Sequence, residues 1–313
     1  MLSSGSAVEP VNPTQRPKVS VVIASVNGPE YLDECLAALQ AQTIKDQTEV
    51  IVADCYGGGV TQLVERKYPG VRLLSFADRR TIPALRAAGI KVARGDIVTI
   101  TEDHCLAPPD WCVQIWRSHE ERHGIIGGAV ENDPSLASVM DWATYFCEYA
   151  RYMNPVPDGE TDNLPGNNIS YRREFLSQVS DLLEEGIYWE DRLNARLREQ
   201  GVRTYSDPRI IVRHKKRFGL GEFLSQRYHY SRSYAGIRLQ GAPAAKRVVY
   251  AGFGFLLPLL LFGRIADSAW SKGRFRAKLL LSLPLLLLFA VVWAWGELVG
   301  DLAGPGDSLW KVE

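Results

Sequence analysis

Apolar segments that alternate with helical patterns over the first hundred residues constrain the fold of this chain more than any other feature. Short strands are predicted over residues 19–24, 49–53, 71–76 and 97–101. Helices are predicted over residues 29–42, 60–68 and 82–93, where apolar side chains recur at helical spacing. This alternation favours an α/β fold with a mostly parallel sheet flanked by helices, which binds its ligand at the carboxyl ends of the strands.

The fourth predicted strand ends abruptly in polar side chains. Residues 97–104 read Ile-Val-Thr-Ile-Thr-Glu-Asp-His, so a buried strand would deliver two acids and a histidine to the edge of the sheet. Hard carboxylate oxygens at that edge suit Mg²⁺ or Mn²⁺ bridging two phosphates. A polar turn in which Asp103 or His104 caps the next segment is an alternative that these residues leave open.

Composition argues against several classes of protein. The 36 basic residues balance 36 acidic ones, and no nucleic-acid-binding module accompanies them, so no nucleic-acid partner is expected. Neither a GxxxxGKS/T loop nor a GxGxxG motif follows the first strand, which disfavours a phosphate loop and dinucleotide redox chemistry. The five cysteines form no CxxC pair and are expected to be reduced, which places the catalytic domain in the cytosol. Residues 1–17, rich in Ser and Pro, are expected to form a disordered leader.

The C-terminal part of the chain carries a membrane signature within residues 248–298. Two apolar runs, over residues 248–263 and 279–296, are joined by a basic connector and predict a hydrophobic helical hairpin. Both runs are near the lower limit of about 17 to 20 residues for a spanning helix, and each contains a proline, Pro258 or Pro284. Two membrane spans, a kinked hairpin that dips into one leaflet and a buried hairpin of a soluble protein all remain open.

Basic residues are concentrated immediately before these apolar runs. Residues 218–247 mix aromatic and basic side chains at helical spacing and predict a basic amphipathic interfacial helix. This helix is expected to rest against anionic lipid headgroups. Residues 299–313 are interpreted as a C-terminal tail.

Motifs along residues 19–214 resemble those of the inverting glycosyltransferases of family 2, which have the GT-A fold. Val-Ser-Val-Val-Ile-Ala-Ser-Val-Asn at residues 19–27 resembles the first nucleotide-binding strand and turn of that family. Glu-Val-Ile-Val-Ala-Asp at 49–54 is similar to the strand whose terminal Asp binds the nucleotide base. Pro-Ala-Leu-Arg-Ala-Ala-Gly-Ile at 83–90 resembles a helix that holds the nucleotide. The resemblance implies a GT-A domain over residues 18–217.

The resemblance also implies a nucleotide-sugar donor and a divalent cation, Mg²⁺ or Mn²⁺. The residues that would bind the nucleotide sugar are Ser25, Asp54, Arg86 and Glu102. Residues 101–103 stand where the family has its Asp-x-Asp motif, with Thr101 in place of the first acid. Asp103 then matches the carboxylate that binds the metal, and His214 resembles a late histidine that some members add as a ligand. Whether Glu102 faces the donor sugar or the metal stays open.

Two further motifs resemble the catalytic segments of the family. The loop Leu-Pro-Gly-Asn-Asn resembles the one beneath the donor sugar and acceptor, where the contacting residues would be Gly166, Asn167 and Asn168. Glu190 and Asp191 begin an amphipathic helix, in which Asp191 matches the general base of the family and Glu190 stands beside it. From the residues alone, an ordinary turn and acids that merely complement a helix dipole are the alternatives.

Together these features predict inverting transfer of a sugar from a nucleotide-sugar donor to a lipid-linked or polysaccharide acceptor at the cytoplasmic face of the cell membrane. The chain is expected to be a membrane-associated enzyme that builds cell-envelope polysaccharide. A nucleotidyltransferase on a related sheet is one alternative, although residues 24–29 lack the Gly-rich basic loop that it would normally need. A noncatalytic sugar-nucleotide-binding scaffold is another, suggested by Thr101.

Overall fold

Short β-strands with buried side chains form one sheet in this protein. The computed structural model describes residues 16–184 and 190–312, so the predicted leader over 1–17 lies almost entirely outside the described residues. The strands are β1 (Val19–Ser25), β2 (Thr48–Asp54), β3 (Arg72–Ser75), β4 (Ile97–Glu102), β5 (Cys105–Leu106), β6 (Gly124–Asn132), β7 (Gly159–Glu160), β8 (Ile169–Arg172) and β9 (Arg203–His214).

Helices cover both faces of this sheet and continue beyond it. They are α1 (Pro29–Gln40), α2 (Gly58–Lys67), α3 (Ile82–Val92), α4 (Trp111–Glu121), α5 (Val139–Tyr149), α6 (Arg173–Ser177), α7 (Ser180–Glu184), α8 (Glu190–Glu199), α9 (Leu220–Arg238), α10 (Ala244–Phe253), α11 (Leu257–Ser271) and α12 (Arg276–Ala303). The four strands and three helices expected over the first hundred residues are all present, with boundaries that differ by a few residues.

The strand order creates a crevice at one edge of the sheet. The order is β3-β2-β1-β4-β8-β6-β9-β5, with β7 beside β9. Strands β1 to β4 are parallel to one another, whereas β8 runs antiparallel to β4. The chain moves outward from β1 to β3 and then returns to place β4 on the other side of β1. The carboxyl ends of β1 and β4 therefore flank a topological switch point, where ligands bind in folds of this type.

Alternation along β1 divides the core into two layers. Val21 and Ile23 pack with α1 on one face, and Val22 packs on the other face with α3. Gly89 lets α3 approach closely, because a Cβ atom there would overlap the Val22 side chain. Since both faces are covered, all seven residues of β1 are buried.

The first apolar run of the C-terminal region is broken rather than continuous. Helices α10 and α11 are inclined by 56° across the break between them. Pro258 occupies the first turn of α11, where its ring cannot continue the preceding helix but fits the start of a new one. The second run lies within α12, which of the described helices is the one long and apolar enough to cross a membrane by itself.

The end of α12 is held against α9 by close packing and ion pairs. Cβ atoms at Gly296 or Gly300 would overlap atoms of α9, so these glycines allow the two helices to touch. Arg238 on α9 lies 3.0 Å from Glu297 and 3.1 Å from Asp301 on α12. The last third of α12 is thus packed along one side against α9, while Trp295 and Leu302 on it remain exposed. The predicted interfacial helix over 218–247 contains a segment, α9, that buries one side against α12.

A buried histidine on α4 should make stability depend on pH. His119 Nε2 lies 2.9 Å from Ser170 Oγ. Burial, with a further contribution from Arg172, lowers the pKa of His119 to about 3. Below pH 6.5 the unfolded chain takes up a proton at this histidine that the folded protein excludes, so stability falls as pH falls. Between pH 7.5 and pH 5 this one group should cost about 2 kcal/mol.

The measurement is urea unfolding in nonionic detergent at both pH values. His119→Gln, which retains a donor for Ser170, should lose this component of the acid destabilisation. His123→Gln, at an exposed histidine four residues away, should keep the wild-type pH dependence. Equal acid sensitivity of His119→Gln and the wild type would contradict the assignment.

Candidate active site

A cavity of about 560 Å³ opens at the carboxyl ends of β1 and β4, beside the switch point. The sheet side of the cavity is formed by the ends of these strands, the start of α3 and the loop before β8. Helices α5, α9, α11 and α12 form the opposite side. The cavity therefore lies between the sheet and the apolar C-terminal helices.

Arg86, on α3, connects two acids across this cavity. Its Nη2 atom lies 3.0 Å from Glu102 Oε1, and its Nη1 atom lies 3.4 Å from Glu190 Oε2. Arg86 is 6% exposed, so these charges interact in a poorly solvated region where an ion pair needs good geometry to offset desolvation. Glu102 ends β4 and Glu190 begins α8, so this guanidinium ties α8 to the edge of the sheet.

The two carboxyls paired with Arg86 have opposite pKa shifts. Burial raises the pKa of Glu190, and the nearby charge of Arg86 offsets this only in part. Burial also favours a higher pKa for Glu102, but the hydrogen bond and charge of His104, together with Arg86, hold that pKa below its usual range. Glu190 is thus the better proton acceptor of the two, and Glu102 stays a fixed negative charge.

The metal-binding atoms of Glu102 and His104 lie close to each other. His104 Nε2 lies 3.3 Å from Glu102 Oε2. In the described ranges, the metal-binding atoms of Glu102, His104 and Cys105 lie within 4.8 Å of one another. Burial raises the pKa of the Cys105 thiol well above its usual value, so the thiol stays protonated and is a poor ligand. The remaining imidazole nitrogen and carboxylate oxygen form a mixed nitrogen and oxygen donor set that can hold a divalent cation.

His104 is held by carboxylates at both ring nitrogens. Nδ1 lies 2.9 Å from Asp103 Oδ1, opposite the contact of Nε2 with Glu102. Burial alone would lower the pKa of His104, but hydrogen bonds to Asp103 and Glu102 raise that pKa to about 9. A divalent cation between His104 and Glu102 would balance the same negative charges as the proton does. The residues present therefore fit a metal ion.

Asp103, which the motif match implies as the metal ligand, contacts His104 and the loop after β1, and its role as a metal ligand stays a prediction. One of its oxygens accepts hydrogen bonds from the backbone nitrogens of Val26 and Asn27, both at 2.9 Å. The other accepts a hydrogen bond of 2.7 Å from Asn27 Nδ2 and contacts His104. Asp103 is 1% exposed, so its carboxylate is already occupied. It anchors the loop after β1 and orients His104, as the outer partner of a metal ligand does.

His214, at the end of β9, lies beside His104. The two rings make a T-shaped contact with centroids 4.8 Å apart. Burial and the positive charge of His104 lower the pKa of His214 well below its usual value, so its imidazole is neutral. His214 lines the cavity and braces His104; its role as a metal ligand stays a prediction.

The loop before β8 places Asn167 in the cavity. Asn167 Nδ2 donates hydrogen bonds to Glu102 Oε2 and to Tyr149 Oη, each at 3.1 Å. Asn167 Oδ1 has no hydrogen-bond partner among the described residues, although it is buried. An unpaired buried acceptor is costly, so this oxygen fits a donor group of a ligand.

Asn168 and Gly166 hold the same loop in place. Asn168 is buried, accepts a hydrogen bond from Trp111 Nε1 and donates to two backbone carbonyls, so it does not face the cavity. A Cβ atom at Gly166 would overlap the Glu190 carboxylate. Gly166 thus lets the loop approach α8 closely, while Asn168 holds the loop on the sheet.

The remaining predicted residues lie around the cavity at different depths. Asp191 lines it but is exposed, whereas the adjacent Glu190 is more enclosed. Ser25 and Asp54 are paired at the ends of β1 and β2, are buried, and lie outside the cavity lining. Ser25 Oγ and Asp54 Oδ1 have no partner within the part of the chain that the structure describes. These two polar atoms fit a ligand that extends from the cavity toward β2.

One cavity residue, Lys216, is not among the site residues expected from the sequence. Lys216 is 7% exposed, and its Nζ atom donates a hydrogen bond of 2.6 Å to Asn27 Oδ1. This brings a positive charge to the loop that Asp103 anchors. The sequence gives little sign of this contact, because Lys216 belongs to a run of basic residues. His104 was expected at the edge of the sheet, and the structure adds its contact with Glu102.

The chain is similar in sequence to a known family and to curated proteins. Residues 20–180, more than half of the chain, match glycosyl transferase family 2. The chain is 25% identical to putative glycosyltransferase EpsH of Bacillus subtilis (strain 168) over 170 residues, covering 52% of this chain and 49% of that protein. It is 23% identical to protein CgeD of the same organism over 184 residues, covering 56% of this chain and 42% of that protein. The chain thus spans less than half the length of these curated relatives.

A solved structure shares the fold. Mannosyltransferase PcManGT from Pyrobaculum calidifontis, in complex with GDP-Man and Mn²⁺, matches with a TM-score of 0.53 at 19% identity. The match covers 99% of this chain and 92% of that chain. At this identity it shows the fold alone, and it confirms the predicted α/β fold of the GT-A type.

Substitution of Glu102 or His104 should weaken metal binding. In the presence of a nucleoside diphosphate, Glu102→Gln and His104→Gln should each lower Mn²⁺ affinity by at least the roughly 10- to 100-fold that loss of a partner of a metal ligand costs. Cys105→Ala should leave Mn²⁺ affinity near that of the wild type, because its thiol stays protonated. Titration calorimetry, with circular dichroism as a control for folding, measures both effects. Loss of Mn²⁺ affinity in Cys105→Ala, or its full retention in His104→Gln, would contradict the assignment.

Proposed function

The chain belongs to glycosyl transferase family 2, and from that premise we propose that it transfers a sugar, with inversion, from a nucleotide-sugar donor to a lipid-linked acceptor at a membrane. The observation that carries the proposal is the joining of Glu102 and Glu190 by Arg86 inside one cavity. Such a transfer needs a charged acid beside a metal site and a second acid that can accept a proton. Glu102 is the first of these acids, and Glu190, whose pKa is raised, is the second.

The sheet edge supports a nucleoside diphosphate as the donor's leaving group. Ser25 Oγ and Asp54 Oδ1 would hydrogen bond to the nucleoside, since both atoms lack a protein partner in the described residues. Lys216 supplies positive charge for phosphates near the end of β1. Glu102 and His104 would hold Mg²⁺ or Mn²⁺. When bound, the cation supplies charge neutralisation to the departing diphosphate.

Glu190 is assigned the role of general base. An acceptor hydroxyl gives its proton to Glu190, and the oxygen's electron pair attacks the anomeric carbon of the donor sugar. The bond from that carbon to the diphosphate breaks, and its electron pair leaves on the nucleoside diphosphate. Because attack and departure occur on opposite sides of the carbon, the configuration inverts. Burial raises the pKa of Glu190, and the charge of Arg86 opposes that rise in part, whereas Asp191, which matches the family's base in the motif alignment, is exposed.

The C-terminal helices support attachment to a membrane. Large apolar side chains of α10, α11 and the segment between them are exposed, namely Val248, Val249, Phe255, Leu256, Leu259 and Leu260. Burial of the end of α12 against α9 leaves fewer residues of α12 to face lipid, which favours a hairpin dipping into one leaflet over two full spans. All five cysteines are free in the structure, in keeping with a cytoplasmic catalytic domain.

Removal of the proposed base should abolish transfer and spare donor binding. Glu190→Gln is expected to lower kcat by about 10² to 10⁴, the usual contribution of a general base. Asp191→Asn should have a much smaller effect. The assay measures nucleoside diphosphate released from a panel of sugar nucleotides with Mn²⁺ and an acceptor lipid extract, and calorimetry checks donor affinity.

Opposite results would reassign the role. If Asp191→Asn is inactive and Glu190→Gln is active, the base is Asp191, as the motif match implies. Release of pyrophosphate by the wild type would favour a nucleotidyltransferase, and release of neither product would favour a noncatalytic scaffold.

Charges placed on the exposed apolar surface should weaken membrane binding. Phe255 and Leu259 are 86% and 66% exposed, and burial of each side chain in lipid is worth about 1.5 to 3 kcal/mol. The double variant Phe255→Glu/Leu259→Glu should therefore bind anionic vesicles at least about tenfold more weakly. Tyr56→Glu, an exposed aromatic position after β2, serves as the control. Unchanged co-sedimentation of the double variant would contradict the proposed surface.

A further inference from the structure

The connector between α11 and α12, residues 272–275, is bound to the α/β part of the chain. Lys272 Nζ donates a hydrogen bond of 2.8 Å to the carbonyl oxygen of Pro155. Arg274 Nη1 lies 2.6 Å from Glu131 Oε1, and Glu131 belongs to β6 of the central sheet. The connector therefore lies against the sheet.

The first half of α12 packs on α5, next to the same sheet. The ring of Phe275, immediately before α12, lies 4.6 Å from that of Trp142 on α5, measured between centroids. Leu279, Leu286 and Phe289 of α12 are buried in the same apolar cluster as Trp142. The start of α12 is thus held by the α/β part of the chain, as the connector is.

The segment after α12, residues 304–312, returns to the same part of the chain. Ser308 is fully buried, and its Oγ atom lies 3.2 Å from Nδ1 of His229 on α9. Leu309 and Val312 line the cavity at the carboxyl ends of β1 and β4. The end of α12 therefore lies on the same side as its start.

These contacts conflict with a helix that crosses a bilayer. With 28 residues, α12 is about 42 Å long. A helix that spans a hydrocarbon core of about 30 Å places its two ends on opposite sides of the membrane. The middle of α12 also meets the α/β part, since Phe289, Ala290 and Trp293 line the cavity. A spanning orientation would break the contacts at one end.

The outward side of α12 is apolar along most of its length. Exposed side chains follow one another at helical spacing and form a single stripe opposite the buried one. They include Leu281, Leu288, Val291, Trp295 and Leu302. Such a stripe suits a helix that lies in the membrane interface with one face in lipid.

We propose that neither α11 nor α12 crosses the bilayer and that α12 lies in the plane of the membrane. Its exposed stripe enters the lipid, and its buried stripe stays on the α/β part of the chain. The connector and residues 304–312 then remain on the side of the cavity. The inference rests on the proposed function, which attaches the chain to a membrane. It keeps Lys272 and Arg274 on the cytoplasmic side, where basic residues are usually found.

The test uses the full chain in sealed, inverted membrane vesicles of a bacterial host, whose cytoplasmic surface faces outward. Cysteine is introduced at one of three exposed positions: Ser271→Cys at the end of α11, Asp307→Cys after α12, or Glu65→Cys on α2 as the reference. A membrane-impermeant maleimide should label all three variants equally before and after detergent is added. Labelling of the unmodified chain, whose cysteines are buried or half-buried, is subtracted.

Protection from the maleimide would overturn the proposal. If Ser271→Cys is labelled only after detergent while Glu65→Cys is labelled before it, the connector has crossed the membrane. The same result for Asp307→Cys would mean that α12 crosses alone. If all three positions require detergent, the segments still share one side, and the cytoplasmic placement of the cavity is wrong.

Depth measurements test the orientation of α12 directly. Nitroxide labels attached to cysteines that replace Leu281, Leu288 or Leu302 should lie at the same depth in lipid vesicles, measured by electron paramagnetic resonance. An upright helix would place the first two labels about 10 Å apart in depth, because each residue adds 1.5 Å along the axis. A depth that changes steadily along α12 would contradict an in-plane helix.

Membrane retention and donor hydrolysis separate failure of this inference from failure of the proposed function. If the chain sediments with membranes and releases nucleoside diphosphate from a sugar nucleotide, but Ser271→Cys or Asp307→Cys is protected, only the orientation is wrong. If the chain does not sediment with membranes, the proposed attachment fails and the orientation fails with it. If it releases no nucleoside diphosphate, sugar transfer fails while the orientation stands.

Discussion

The buried guanidinium of Arg86 is the interaction on which the candidate active site depends. It forms ion pairs with Glu102 at the end of β4 and with Glu190 at the start of α8, two acids from distant parts of the chain. Without this charge, two carboxylates in a poorly solvated region would either repel each other or take up protons. With it, Glu102 keeps a pKa below its usual range beside His104, and Glu190, whose pKa is raised, is the acid that we propose as the base. This ion-pair network therefore depends both on the strand order, which places Glu102, and on the placement of α8, which carries Glu190.

The second feature that organises the structure is the packing of the apolar C-terminal helices along the wall of the cavity. Gly296 and Gly300 let α12 lie directly on α9, and Arg238 fixes the end of α12 through two acids. Because α11 and α12 also line the cavity, the apolar C-terminal helices form part of its wall. This arrangement is why the proposed function places the acceptor at a membrane.

Sequence patterns predicted the sheet well but placed individual side chains less reliably. The alternation of strands and helices was sufficient to locate β1 to β4, because burial on both faces requires long apolar runs. The segment from Thr101 to His104 carries no such periodicity, so the motif match assigned the metal to Asp103. In the structure the turn after β4 directs Asp103 to the backbone after β1 and leaves Glu102 and His104 facing each other. A shift of one residue reverses the direction of a side chain.

The sequence by itself determined the α/β class, the apolar C-terminal helices and the resemblance to family 2, because these follow from local periodicity and from the order of short motifs. Tertiary structure alone decided that Arg86 joins Glu102 to Glu190, that Lys216 reaches Asn27, and that α11 and α12 close over the cavity. Each of these contacts joins residues far apart in the chain, and their formation depends on strand order and helix docking. Local sequence patterns indicate which side of a helix or strand is buried, but they do not indicate which distant residues that side contacts.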